Sequence, residues 1–133
     1  MSRLMIATSL TLGLCAAAAP AAAQTVRATS SEAHWRSGVI QLALKAELPD
    51  DCTRLVRATP QGVTTRTLAV EVIVTREETS RCRAGSGRIE RSYSYNFPGI
   101  SQSATTIAMR FLRDGQELGR ETTPISTTPA ARR

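Results

Sequence analysis

The sequence predicts an all-β fold, an immunoglobulin-like β-sandwich of six or seven short antiparallel strands held by one disulfide. Three observations carry that expectation. Apolar and polar residues alternate over stretches such as Ile40–Leu48 and Leu68–Thr75, the period of two of a half-buried strand. Turn formers such as Pro49-Asp50, Pro98-Gly99 and Asp114-Gly115 separate the stretches. Two cysteines, Cys52 and Cys82, flank the most strongly patterned stretch. A small barrel is the alternative architecture.

The N-terminus bears on compartment. Met1-Ser2-Arg3 is a short positive segment, and Leu4 to Ala19 is an uncharged apolar run. Pro20 breaks it, and Ala21-Ala22-Ala23 has the small residues of a cleavage site. Residues 1–23 therefore read as a signal peptide, and the protein as exported, periplasmic or alternatively secreted. The run is short and Ala-rich for a membrane span, and nothing later in the chain is long and apolar enough for one. Cys15 follows Leu14, where a lipid-modified cysteine needs a small residue, so it reads as an apolar residue lost with the peptide. Removing the peptide takes away Arg3 and leaves a net charge of +5, against +6 for the whole chain.

Residues 24–36 are polar and small, and read as a flexible leader with at most a short strand near Val26. Trp35 is expected to cover one edge of the core. The sandwich domain spans 37–123. Its first clear strand is Gly38–Leu48, with Ile40, Leu42, Leu44, Ala46 and Leu48 on one face. Pro49-Asp50-Asp51 turns the chain into Cys52. A weaker strand, Thr53–Thr59, leads to an expected turn at Pro60-Gln61-Gly62. Val63–Thr75 reads as one long central strand with Leu68, Val70, Val72 and Val74 inward. After a polar excursion, Arg88–Phe97 carries Ile89, Tyr93, Tyr95 and Phe97 in phase. Thr105–Arg113 and Gln116–Thr123 form a hairpin about Asp114-Gly115. Residues 124–133 read as a loose tail.

Two cysteines in an exported chain point to a disulfide. Closing a loop of this length is worth about 3.5 kcal/mol on the chain-entropy model. If the chain around Cys52 lies near that around Cys82, Asp50 and Asp51 come close to Arg81 and Arg83. Such a surface charge cluster should matter far less to stability than the disulfide.

Leu48-Pro49-Asp50-Asp51-Cys52, the strand Leu68–Thr75, Cys82, and the Ile107–Gly115 stretch ending in Asp-Gly resemble a group of small exported bacterial β-sandwich proteins. The resemblance covers about residues 38 to 115. It implies paired cysteines and a sandwich fold, and the group has no established activity. Many members look lipid-anchored, which the position of Cys15 does not support here.

The chemistry expected is binding, not catalysis. His34 is the one histidine, which removes most His-based triads and multi-His metal sites. Asp50-Asp51 and Glu77-Glu78 are adjacent in sequence, and neighbours on a strand face opposite ways. Gly85-Ser86-Gly87 lacks the lysine and the helix of a phosphate loop. No cofactor, no metal and no specific nucleic acid are expected. The reading is an exported, non-enzymatic envelope protein acting as a binding or accessory module. Its partner is an envelope protein or an anionic surface component, met through end loops or an edge strand. The candidate surface is Arg76, Arg81 and Arg83 with Tyr93 and Tyr95, although the tyrosines are in phase with the core residue Ile89. A periplasmic inhibitor or chaperone-like protein, or a basic surface for polyanions, are the alternatives. The basic residues are arginines apart from Lys45, and they alternate with acids along the chain.

Overall fold

The computed structural model describes residues 25–77, 81–82 and 87–127. The expected signal peptide, Arg83 and the end of the expected tail lie outside the described residues. Seven strands follow one another: β1 Arg27–Arg36, β2 Val39–Leu48, β3 Thr53–Thr64, β4 Thr67–Arg76, β5 Ile89–Pro98, β6 Thr106–Arg113 and β7 Gln116–Ser126. The all-β class holds. The strands form one sheet in the order β3-β4-β6-β7-β1-β2-β5.

This order is that of a single sheet rolled almost into a barrel, whereas an immunoglobulin-like sandwich has two antiparallel sheets. Two neighbour pairs, β4/β6 and β1/β7, are parallel. Following the pairings round the sheet, the terminal strands β3 and β5 run in the same direction.

Three hairpins are closed by two-residue turns with both residues at positive φ: Ser37-Gly38, Thr65-Arg66 and Asp114-Gly115. Such turns match the right-handed twist of the flanking strands. Asp114-Gly115 falls where expected. Thr65-Arg66 does not: the expected single strand Val63–Thr75 is split there, and the expected turn at Pro60-Gln61-Gly62 lies inside β3. The ladder slips between Pro60 and Gly62, a bulge that accommodates the proline on an edge strand. The Arg66 carbonyl accepts the Thr105 N–H at 2.8 Å and the Thr106 N–H at 3.3 Å, so the segment entering β6 holds this glycine-free turn in place.

The expected flexible leader is also corrected. Arg27–Arg36 is a full strand that pairs with β2 along its length. Its composition hides it, because Ala33 is its buried residue and most of the others face water or lie half-covered. Ser and Thr tolerate the extended backbone, and the ladder with β2 supplies the stabilisation. Against β7 it keeps one parallel register. The Val26 N–H donates to the Leu118 carbonyl at 3.0 Å, the Thr123 hydroxyl donates to the Ser31 carbonyl at 3.2 Å, and Ala33 and His34 face Ile125 and Ser126. A Cβ on Gly119 would lie 2.1 Å from the Val26 carbonyl oxygen, so this approach requires glycine. β7 continues to Ser126, which takes residues 124–126 out of the expected tail and into the sheet.

The rolled sheet encloses one core. The inward residues of β2 (Ile40, Leu42, Leu44, Ala46, Leu48) and β4 (Leu68, Val70, Val72, Val74) meet Ile107, Met109 and Phe111 of β6 and Phe97 of β5. Trp35 packs against one end of this core, its indole N–H donating to the Ala104 carbonyl at 3.3 Å. No helix among the described residues is long and apolar enough to cross a membrane.

Candidate functional site

The rolled sheet is not closed by a backbone ladder between β3 and β5. Side chains bridge these two edges. Tyr93 and Tyr95, two residues apart on β5, point to the inner face and stack with their ring centroids 6.4 Å apart. The Tyr93 hydroxyl reaches across and accepts the Leu55 N–H of β3 at 3.2 Å. The two edges therefore approach without sharing backbone hydrogen bonds, and the tyrosine closes the contact. The hydroxyl occupies the place that a neighbouring strand's carbonyl would take.

The Tyr95 hydroxyl is buried and has no hydrogen-bond partner among the described residues. Burial pushes it up to about 12, and the charge of its neighbour Tyr93 acts in the same direction. On β3, the register slips between Leu55 and Arg57, so Val56 is an extra residue turned outward. At 55% exposure it is the large hydrophobic left open to water among the described residues.

A disulfide closes one end of this seam. Cys52, just before β3, is bonded to Cys82, and their Cα atoms are 5.2 Å apart. The expected pairing is thus present. The turn leading into it is built by Asp50, which the sequence placed on the surface beside Arg81 and Arg83. Asp50 is instead buried, at 4% exposure. Its Oδ1 accepts the Cys52 N–H at 3.0 Å and the Thr53 hydroxyl at 2.9 Å, and its Oδ2 accepts Arg76 Nη2 at 3.2 Å. A buried carboxylate is tolerated because these donors replace its lost hydration. The pattern was visible in Asp50-x-Cys52-Thr53, an Asx turn capping a strand start. The burial was not, because Arg76 is 26 residues away.

A cavity of about 210 Å³ opens beside the disulfide, lined by Asp51, Cys52, Arg54, Glu77, Arg81, Cys82 and Arg91. Arg54 is paired with Glu77 at 3.2 Å. Asp51 Oδ1 lies 3.9 Å from Cys52 Sγ. One ligand atom each from Asp51, Cys52 and Cys82 falls within 4.8 Å of the others.

The candidate residues thus divide. Arg81, Tyr93 and Tyr95 belong to the seam and its disulfide end. Arg76 is committed to Asp50, and Arg83 lies outside the described residues. Arg54, Arg91 and Val56 join the site although sequence reasoning did not single them out. Arg91 is in phase with Tyr93 and Tyr95, which is a signal the alternation already contained.

Elsewhere pairs of arginines share single carboxylates. Arg88 and Arg27 both bond Glu47, and Arg120 and Arg110 both bond Glu117. The Arg88 guanidinium, then Arg27, holds the Glu47 carboxyl below the usual range. Arg120, then Arg110, does the same to Glu117. No protein-family model matches this chain, and no curated protein or solved structure matches it significantly.

Proposed function

We propose that the chain is an exported, non-enzymatic binding module that takes an extended segment of an envelope protein into the seam between β3 and β5. The observation that carries this reading is the Tyr93 hydroxyl bonded to the Leu55 N–H, a side chain meeting a backbone group at a seam where no ladder joins β3 and β5. Because β3 and β5 run the same way, a strand that parts them can lie antiparallel to both and complete an eight-stranded barrel. Its backbone supplies affinity, and Val56, Arg54 and Arg91 supply side-chain selection at the rim. The disulfide end stays fixed while the tyrosines yield.

Export rests on the residue pattern of 1–23 and is supported by the disulfide, which persists in oxidising compartments.

The test is a pull-down with residues 24–133, disulfide intact, from envelope extract across a salt series. A discrete protein retained at high salt by the wild type and lost with Val56→Asp supports the reading. Binding that vanishes at modest salt points to an electrostatic contact instead. No retention at any salt removes the binding-module reading.

A further inference from the structure

We propose that the reduced chain binds a zinc-class divalent cation through Cys52, Cys82 and Asp51, so that disulfide and metal are alternative occupants of one site. The ligand atoms are already gathered within 4.8 Å of one another. A tetrahedral zinc site has Zn–S near 2.3 Å and Zn–O near 2.0–2.2 Å, which places ligand atoms roughly 3.5–3.8 Å apart. Asp51 Oδ1 and Cys52 Sγ, at 3.9 Å, match that spacing without rearrangement. The two sulfurs must part from bonding distance, which side-chain rotation accomplishes over a Cα separation of 5.2 Å.

Half of the site is held independently of the disulfide. Asp50 fixes the Cys52 backbone through its N–H, and the Glu77 N–H donates to the Cys52 carbonyl at 3.1 Å. Reduction therefore leaves the Cys52 backbone held, with Asp51 beside it in the chain. The cavity of about 210 Å³ beside them leaves room for a fourth ligand.

Charge favours the exchange. Two thiolates and a carboxylate at this spacing repel one another, and a dication removes the repulsion. Soft thiolate ligands select zinc over calcium or magnesium.

The redox step balances with a thiol reductant. Exchange with a dithiol breaks the Cys52–Cys82 bond, gives two thiols, and oxidises the dithiol to its own disulfide. Metal binding then displaces the thiol protons. In reverse, a disulfide oxidant takes two electrons from the bound thiolates, re-forms the Cys52–Cys82 bond and releases the ion.

The experiment is anaerobic titration of the phosphine-reduced chain with Co²⁺, followed by Zn²⁺, with circular dichroism on the same samples. One equivalent should give thiolate-to-cobalt charge transfer and tetrahedral d–d bands on a β-folded chain, and Zn²⁺ should displace it. Asp51→Asn should weaken binding at least tenfold, Cys82→Ser should abolish the bands, and the oxidised chain should show none. Four results overturn the proposal: no bands, Asp51→Asn binding as tightly as wild type, equal binding by the urea-unfolded chain, or a reduced chain that stays unfolded with Co²⁺ present.

Discussion

The sheet is joined to itself in two different ways. Between β1 and β7 the contact is backbone to backbone, in one parallel register that brings the Val26 carbonyl against Gly119. Between β3 and β5 it is made by a side chain, Tyr93 to Leu55, beside a disulfide that ties the residue before β3 to the connection between β4 and β5. The first junction leaves no room for another group. The second can be opened and refilled one contact at a time. A fold that fixes one junction through its backbone and bridges the other by side chains confines its adaptability to a single place.

The largest expected effect breaks the first junction. Gly119→Val places a branched side chain against the Val26 carbonyl and should cost at least about 3 kcal/mol, read as a lower urea midpoint. An unchanged midpoint would mean that β1 is not held there. At the second junction, Asp50→Ala strips a buried carboxylate from Cys52, Thr53 and Arg76 and should cost about 3 kcal/mol. That is similar to the roughly 3.5 kcal/mol that the chain-entropy model gives for the disulfide. The expectation that replacing either aspartate matters far less than the disulfide therefore does not extend to Asp50. Denaturation of Asp50→Ala beside the reduced wild type measures the two against each other.

Tyr93→Phe should cost only about 1 kcal/mol, the worth of one hydrogen bond. Its distinguishing sign is local: the Leu55 amide should exchange faster with deuterium while the Val26 amide does not change. Equal acceleration at both would erase the contrast between the junctions. The smallest effects come from pH. Tyr95 ionises at about 12 in the folded chain, above an unfolded value near 10. The native state keeps a proton that the unfolded state has lost, so stability falls between those values. Tyrosinate absorbance should show one late-titrating ring whose ionisation accompanies opening of the seam. Glu47 and Glu117 have lowered values, so their contribution is present above the ordinary carboxylate range and disappears as the pH falls below it. Both are at the surface, so this decline should be shallow and weaken with added salt.

Strands whose inner face is apolar were legible in the sequence. β2, β4 and β6 alternate as expected, and the two cysteines flanking β4 are joined in the disulfide as expected. β1 was not legible, because its stability comes from ladders on both sides and its burial from Ala33 and the adjoining Val26. The Thr65-Arg66 turn was hidden for a related reason. Neither residue is an intrinsic positive-φ former, and the turn is stabilised by Thr105 and Thr106, far along the chain. The seam was half visible. Tyr93 and Tyr95 stood out, but which strand they faced depended on a strand order that alternation does not encode.

The pairing of β1 with β7 also sets a kinetic condition. The first strand and the last are neighbours, so the sheet can be completed only after the chain has been delivered through Ser126. Contacts of such sequence separation form slowly and late, after the hairpins that need only local closure. A chain still emerging from a ribosome or a translocation pore lacks the strand that covers β1 and β6. It remains two separate three-stranded pieces, β3-β4-β6 and β1-β2-β5, until its final strand joins them, so the finished domain forms as a post-delivery event.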